Sequence, residues 1–203
     1  MPTEAVYLAL GDSTGVGVGA RSGGGYPDRL LRLLRPEHPG LQLVNYCASG
    51  ATTADVIVDQ LPLALRTRPH LITVGIGIND LGLQLPEDAF ALNLEEIVLA
   101  LRKLSAPIAI ANIPDVALSP TVARRVPRRL YERRIEIFNE HVTATAARHS
   151  LALVDLYGLS RQILPGRPEL WSEDGFHPSA AGYDQWAERM LPAVAPLLRE
   201  RAA

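Results

Sequence analysis

Five short apolar runs alternate with longer amphipathic segments along this chain. The runs are rich in Val, Ile and Leu and are bounded by polar residues, Gly or Pro: 5–10, 41–46, 70–76, 107–112 and 151–155. The other segments have apolar residues at helical spacing: 27–35, 53–65, 88–104, 128–149 and 179–199. Strands that alternate with helices pair in parallel through right-handed crossovers, with helices on both faces of the sheet. We therefore predict an α/β fold, a three-layer α/β/α sandwich with about five parallel strands.

Nothing in the sequence divides the chain into parts. It has no internal repeat, no low-complexity tract and no linker, and 203 residues with 47% hydrophobic content are enough for one continuous core. We predict a single domain over residues 1–203. Two irregular stretches, 113–127 and 157–178, are longer than ordinary connections, which is typical of loops that bind or react.

Charge and cysteine content limit the partners and the compartment. A formal net charge of −2 gives no overall attraction to nucleic acid or to anionic membranes, and no segment approaches the run of about 18 apolar residues that a membrane span requires. Cys47 is the only cysteine, so no internal disulfide can form, and the N-terminus lacks the features of a signal peptide. We predict a cytoplasmic protein without a nucleic-acid partner or stable membrane insertion. Its oligomeric state stays open.

Small, polar and titratable residues follow the predicted strands. Residues 11–13 read Gly-Asp-Ser after the first run, 47–50 read Cys-Ala-Ser-Gly after the second, and 77–80 read Gly-Ile-Asn-Asp after the third. Beyond the fifth run, residues 174–177 read Asp-Gly-Phe-His. In open parallel sheets, ligands bind outside the carboxyl ends of the strands. We expect these four segments to meet at one edge of the sheet and to form the functional site.

Ser13, Asp174 and His177 have the residue types that nucleophilic catalysis by a hydroxyl requires. A free hydroxyl is almost wholly protonated at neutral pH, so Ser13 needs a base. His177 follows a carboxylate by three residues, and that carboxylate can hold the imidazole in one tautomer while the other ring nitrogen faces the serine. The same spacing is compatible with an Asx-type turn ahead of a helix that starts at Pro178–Ser179. We interpret the other histidines as surface or packing residues: His38, His70, His141 and His149.

Gly50 and Asn79 are candidate donors for the negative oxygen of a tetrahedral intermediate. Such donors include backbone N–H groups at glycines and side-chain amides. Gly50 offers an amide in a turn, and Asn79 offers its NH2 group just past a predicted strand. Two alternatives stay open, because Ser49–Gly50 is also typical of an ordinary turn and Asn79–Asp80 of a helix cap.

The four segments resemble the sequence blocks of the SGNH hydrolases, also called the GDSL-like lipase and esterase family. The blocks occur in the family's order and spacing over nearly the whole chain: Gly11-Asp-Ser13, Ser49-Gly50, Gly77-Ile-Asn79-Asp80 and Asp174-Gly-Phe-His177. The resemblance implies a flavodoxin-like sandwich and a hydrolytic mechanism without a metal or other cofactor. It also implies roles for the residues of the blocks. Ser13 is the nucleophile, His177 the base, Asp174 its partner, and the oxyanion hole comprises Gly50, Asn79 and the Ser13 amide.

Two residues depart from the family pattern. Many relatives have glycine where this chain has Cys47, and many have leucine or isoleucine where it has Thr14. Cys47 is either a second nucleophile beside the site or, as we expect, a small buried thiol.

Two glycine patterns near Ser13 compete with this interpretation. Residues 11–15 also read GxSxG, the nucleophile elbow of α/β-hydrolases, but only one strand precedes this serine, whereas that elbow normally follows a central strand. The glycines of residues 15–25 lack both the GK[ST] ending and a GxGxxG that opens a helix. They do not predict a nucleotide site.

Two further groups of side chains have either a functional or a structural explanation. Trp171 and Phe176 flank the segment with the acid and the imidazole, and they either bind substrate in an acyl pocket or pack beneath the loop. Six arginines lie between residues 124 and 134, where they either attract an anionic group or form a solvated face offset by Glu132 and Glu136: Arg124, Arg125, Arg128, Arg129, Arg133 and Arg134.

These observations predict a serine esterase that acts on small-molecule carboxylic esters of small or medium acyl chains. Lysophospholipids and acyl thioesters are further candidate substrates. Carbohydrate deacetylation and acyl transfer use the same groups, so the motifs do not separate them from simple hydrolysis. A non-catalytic domain that binds a ligand on the same fold is the alternative from another class.

Overall fold

Five parallel strands form the centre of the computed structural model, which describes residues 5–199. The strands are β1 Ala5–Gly11, β2 Leu41–Asn45, β3 Leu71–Gly75, β4 Ile108–Ala111 and β5 Ala152–Val154. Their order across the sheet is β2-β1-β3-β4-β5, and every neighbouring pair is parallel. This is the flavodoxin-like strand order, in which the direction of strand addition across the sheet reverses between β1 and β3. The predicted fold class is confirmed.

Helices cover both faces of the sheet, and all five segments with helical spacing in the sequence contain helices. The longer ones are α2 Tyr26–Leu34, α6 Glu87–Arg102, α8 Arg128–Arg148, α9 Leu156–Ile163 and α10 Ala180–Arg199. The short ones are α1 Ser13–Val16, α3 Thr53–Asp55, α4 Leu61–Ala64, α5 Ile78–Gly82 and α7 Pro120–Ala123, and a π-helical turn, Val56–Gln60, joins α3 to α4. Among the described residues, no helix is long and apolar enough to cross a membrane.

The prediction of an irregular stretch over 157–178 is wrong in its first part, because α9 begins at Leu156. The Asp155 side chain accepts a hydrogen bond from the N–H of Gly158 and so caps the helix. Leu156, Leu159 and Ile163 lie at helical spacing, and all three line a cavity beside Ser13. The stretch 113–127 likewise contains the short helix α7.

Each face of the sheet has its own apolar core. In β1, Tyr7 and Ala9 face α2 and α10, whereas Leu8 and Leu10 face α6 and α8 on the other side. Successive side chains of a strand point to opposite faces, so a strand buried on both faces is apolar throughout. This is why β1 appears in the sequence as an uninterrupted apolar run.

The side chain of Gln60 holds the end of β1. Its Nε2 donates to the carbonyl of Gly11 at 2.8 Å, and the N–H of Gly11 donates to its Oε1 at 2.9 Å. Gly11 also lies so close to β3 that an added Cβ would stand 2.2 Å from the carbonyl oxygen of Gly75. The amide of Gln60 therefore satisfies the last peptide group of the strand, two residues before Ser13.

We expect Gln60→Leu to lower the free energy of unfolding by about 2 kcal/mol, because it leaves the buried N–H of Gly11 without an acceptor. Urea unfolding at neutral pH measures the loss. The matched control is Gln42→Leu on the edge strand β2, where the side chain is exposed. Equal stability of the two variants would contradict the role that we assign to Gln60.

Candidate active site

Ser13 is the first residue of α1 and follows β1 after one intervening residue. That residue, Asp12, caps the helix, because its Oδ1 accepts from the N–H of Thr14 at 2.9 Å and from the Thr14 hydroxyl at 2.7 Å. Ser13 is buried, with 7% of its surface exposed. Its Oγ lies 2.9 Å from Nε2 of His177, so the structure brings together two residues that are 164 positions apart.

Asp174 and His177 lie on a tight turn before α10. The N–H of Ser172 donates to the His177 carbonyl at 2.9 Å, and Gly175 takes a φ of +64°, which glycine adopts at no steric cost. The turn places Asp174 Oδ2 2.6 Å from Nδ1 of His177. Helix α10 follows at Ala180. The Asx-type turn and the predicted acid–imidazole contact therefore occur together.

Asp174 is exposed but carries four hydrogen bonds. Besides His177, its Oδ1 accepts from the N–H groups of Phe176 and His177 at 2.7 and 2.9 Å and from the Ser172 hydroxyl at 2.8 Å. Partial burial raises the pKa of Asp174, but the hydrogen bonds from His177, Phe176 and Ser172 outweigh it and hold the pKa well below the usual value. The carboxylate is therefore ionised wherever the protein is folded at ordinary pH.

A carboxylate can only accept, so Nδ1 of His177 carries the hydrogen in this contact. In the neutral imidazole, Nε2 then has a free lone pair that can accept from the hydroxyl of Ser13. In this arrangement the imidazole can take the serine proton, and the resulting cation stays next to a carboxylate.

Two residues of another loop hold the turn that contains Asp174, and the sequence pattern did not predict this contact. The hydroxyl of Ser119 donates to the Gly175 carbonyl at 2.7 Å, and Thr121 donates to the carbonyl of Asp174 through its hydroxyl at 2.6 Å. Both residues lie in the irregular stretch 113–127. Its length was the only sequence signal, because isolated Ser and Thr residues carry no pattern that predicts these contacts.

Asn79 lies beside the turn that contains Gly50. Its Nδ2 donates to the carbonyl of Ala51 at 2.8 Å, and since an amide NH2 carries two hydrogens, one is left for a ligand. Gly50 has a φ of +81° and open space around it. Gly50 can therefore belong to an ordinary turn and still offer its N–H group as the predicted donor.

The alternative that Asn79–Asp80 caps a helix is wrong. Gly77 precedes the first residue of α5, so both Asn79 and Asp80 lie inside that helix. The buried Asp80 instead accepts from the hydroxyl of Thr53 at 2.5 Å and from its N–H, which joins α5 to the start of α3.

The sequence matches the model of the GDSL-like Lipase/Acylhydrolase family over residues 9–185. The chain belongs to this family. Esterase TesA of Pseudomonas aeruginosa is 26% identical over 192 residues, which are 94% of this chain and 88% of that protein. A GDSL-like esterase of Mycobacterium tuberculosis is 25% identical over 206 residues, or 99% of this chain and 65% of the relative. The protein is therefore a hydrolase that acts on ester bonds, not a non-catalytic binding domain.

Solved structures have the same fold as this GDSL-like hydrolase. A crystal structure of TesA superposes with a TM-score of 0.79 and 26% identity, covering 95% of this chain and 99% of that one. Axe2, an acetylxylan esterase from Geobacillus stearothermophilus, gives a TM-score of 0.76 at 22% identity, with 93% of each chain covered. At this level of identity, the similarity to Axe2 shows only that the two proteins share a fold.

Cys47, where many family members have glycine, packs against the helix that carries Ser13. A Cβ added to Gly15 would lie 2.2 Å from its sulfur, so Gly15 and Cys47 fit only as a pair. Burial raises the pKa of the Cys47 thiol well above its usual value, which keeps it protonated. Both observations favour a packed thiol over a second nucleophile.

A small apolar cavity opens at the seryl hydroxyl. Its volume is about 60 Å³, and Ser13 and His177 line it together with side chains that include Trp171 and Phe176. The ring of Phe176 stands at 85° to the imidazole, with 5.0 Å between the centroids. Trp171 and Phe176 thus border the predicted site. In the described part of the chain, no group of three or more His, Cys, Asp or Glu side chains is arranged to hold a metal ion.

Part of the arginine cluster forms the solvated face that the sequence predicts as one alternative. Arg128 pairs with Glu132 at 2.7 Å, and Arg133 lies 3.7 Å from Glu136. The arginine of each pair is exposed, so the pairs contribute little to stability. Three members of the cluster also line an open groove next to the site: Arg125, Arg133 and Arg134.

We expect Gly15→Ala to lower the free energy of unfolding by about 1–3 kcal/mol, because the new methyl group overlaps Cys47. Replacing Cys47 with glycine in the same chain should restore most of the loss, since it removes the atoms in conflict. A double-mutant cycle measured by urea unfolding gives the coupling between the two positions. Additive effects would contradict the direct contact.

The buried Asp12 predicts a stability that depends on pH. Burial raises the pKa of Asp12 to about 6, although the hydrogen bonds from Thr14 and the nearby His177 lower it, and its Oδ2 has no hydrogen-bond partner among the described residues. The folded state thus binds a proton more tightly than the unfolded state, so the cost of the ionised carboxylate is complete above pH 6 and falls as the pH drops towards 4.

Relative to Asp12→Asn, the native chain should therefore lose about 2 kcal/mol of unfolding free energy between pH 4 and pH 7. Urea unfolding of both proteins over this range gives the difference. The exposed Asp59→Asn is the control for the removal of one carboxylate from the chain. A difference between Asp12→Asn and the native chain that does not change with pH would show that the Asp12 carboxylate is not destabilised by burial.

Proposed function

We propose that this GDSL-like hydrolase is a serine esterase that cleaves carboxylic esters of small or medium acyl chains through an acyl-enzyme. One observation carries the proposal. The Ser13 hydroxyl lies 2.9 Å from Nε2 of His177, whose Nδ1 lies 2.6 Å from the Asp174 carboxylate. This chain of hydrogen bonds is the arrangement that activates a serine.

In the proposed reaction, Oγ of Ser13 attacks the carbonyl carbon while Nε2 of His177 takes the hydroxyl proton. Asp174 keeps the imidazole oriented and stabilises its positive charge. The tetrahedral intermediate collapses, the ester C–O bond breaks, and His177 returns the proton to the departing alcohol. Water then adds to the acyl group with His177 again as the base, and the acid and the free serine are released.

The negative oxygen of the intermediate needs donors that are in place before the reaction. We assign this oxyanion hole to the backbone N–H groups of Ser13 and Gly50 and to Nδ2 of Asn79. Two features support the assignment. Ser13 opens α1, so its N–H has no partner within that helix, and the contact of Asn79 with Ala51 O leaves it one free hydrogen.

The cavity beside Ser13 is where we place the acyl group. Trp171 and Phe176 bind its alkyl part, and a volume of about 60 Å³ suits a short chain better than a long one. Removal of acetyl groups from a carbohydrate is the second candidate, favoured by the same small cavity. Thioesters, lysophospholipids and transfer of the acyl group to an alcohol use the same chemistry.

The remaining expectations about the whole protein belong to this proposal. One domain over residues 1–203 is supported by the single sheet that has both cores packed on it. Cytoplasmic localisation and the absence of a nucleic-acid partner stay predictions of the sequence.

We expect Ser13→Ala to lower the turnover of 4-nitrophenyl acetate and butyrate on the order of 10⁴-fold, because it removes the nucleophile. Initial rates measured with the purified protein test this, and a fluorophosphonate should label Ser13 alone, as seen by peptide mass. The exposed Ser22→Ala is the matched control and should keep native activity and labelling. Undiminished turnover in Ser13→Ala would rule out the proposed nucleophile.

A further inference from the structure

A second depression adjoins the candidate active site on the other side of Phe176. This groove encloses about 860 Å³ and runs from Asn79 and Asp174 towards α8. Ile78 and Phe176 line both the groove and the small cavity. An ester whose carbonyl carbon lies at Ser13 can therefore extend one of its parts into the cavity and the other into the groove.

The groove has apolar side chains along its walls. Leu83, after α5, and Leu130, in the first turn of α8, line it with 66% and 68% of their surfaces exposed. Val126 lies with them. Large exposed side chains at the rim of a concave surface are typical of a binding site.

Three arginines line the same groove, and each has spare capacity for an anion. Arg125 has no side-chain hydrogen bond or ion pair among the described residues. Arg134 donates to the carbonyl of Leu85, its guanidinium lies 5.3 Å from the ring centroid of Phe138 and its Nε is buried, so its remaining terminal N–H groups are the ones available to a ligand. Arg133 lies 3.7 Å from Glu136, a distance that leaves most of its donors free.

Two acidic side chains line the groove as well, Glu87 and Asp174. Asp174 is occupied by the hydrogen bonds from His177, Phe176 and Ser172. Asp174 is thus committed to its own turn and Arg133 lies near Glu136, which leaves Arg125 and Arg134 against Glu87. The groove has an excess of positive charge in a protein whose formal net charge is −2.

We propose that the groove binds the alcohol part of the substrate and that Arg125, with Arg134, selects esters whose alcohol carries a phosphate, sulfonate or carboxylate group. Guanidinium groups match the geometry of these oxyanions. The proposal rests on the proposed function for the position of the ester bond. It adds a preference in the alcohol part that the Ser-His-Asp arrangement does not determine.

Two soluble acetate esters test the selection. One is the ester of 4-hydroxybenzenesulfonate, which is anionic, and the other is the ester of methyl 4-hydroxybenzoate, a neutral phenol of similar size and acidity. The quantity measured is the ratio of kcat/KM for the anionic ester to that for the neutral one. We expect Arg125→Gln to lower this ratio by about 3- to 10-fold, mainly through KM, and raised salt to lower the native ratio.

Arg129→Gln is the matched control. Arg129 is an exposed arginine of the same cluster, in the first turn of α8, but it does not line the groove. Its ratio should equal the native one. Equal ratios in the native protein, Arg125→Gln and the double variant Arg125→Gln/Arg134→Gln would overturn the proposal.

Direct binding separates this inference from the proposed function. Calorimetric titration of the Ser13→Ala chain with 4-hydroxybenzenesulfonate should give tighter binding than the same titration of Ser13→Ala/Arg125→Gln. Equal affinities would count against the groove even if Ser13 proves to be the nucleophile, and a difference would support it even if Ser13 does not. Arginine-dependent sedimentation with phosphatidylglycerol vesicles, without any change in the ester ratio, would assign the arginines to a lipid surface and overturn the proposal.

Discussion

The geometry of the site depends on how β1 ends. Gly11 lies against Gly75 of β3 too closely for any side chain, and the buried amide of Gln60 bonds both its N–H and its carbonyl. These contacts hold the last residue of the strand in place, and two residues later α1 begins at Ser13. A π-helical turn ends at Gln60 and delivers this side chain. Such turns are rare in proteins, and those that occur are often found at functional sites.

The turn that contains Asp174 and His177 is fixed by hydrogen bonds rather than by burial. Their turn is exposed, so burial contributes little, and hydrogen bonds from Ser119 and Thr121 replace it. The Asp174 carboxylate accepts four hydrogen bonds and stays ionised, whereas Asp12, next to the serine, is buried with one oxygen unpartnered. The site thus contains a stabilised carboxylate beside His177 and a destabilised one next to Ser13. Electrostatic strain of this kind is typical of functional sites.

Phe176 and Ile78 separate two depressions of very different character. The cavity at Ser13 is small and almost entirely apolar, while the groove beyond Phe176 is large and carries the unpaired Arg125. An ester has two unlike parts, an acyl group and an alcohol, and the two depressions differ in the same way. Loops carry the variable parts of such sites, so we expect discrimination between substrates to depend on the residues around these two depressions.

The sequence alone determined the sheet, the longer helices apart from α9, and the segments that contain the site, because apolar periodicity reports burial and strand ends converge in a parallel sheet. It also predicted Ser13, Asp174 and His177 as partners, because short motifs of recognisable residue types contain them, although Ser13 lies far from the other two in the chain. Only the tertiary structure decided the contacts of Gln60, Ser119 and Thr121 and which arginines face the groove. These residues come from segments far apart in the chain, and an isolated polar residue has no periodicity. Their partners exist only once the layers have packed.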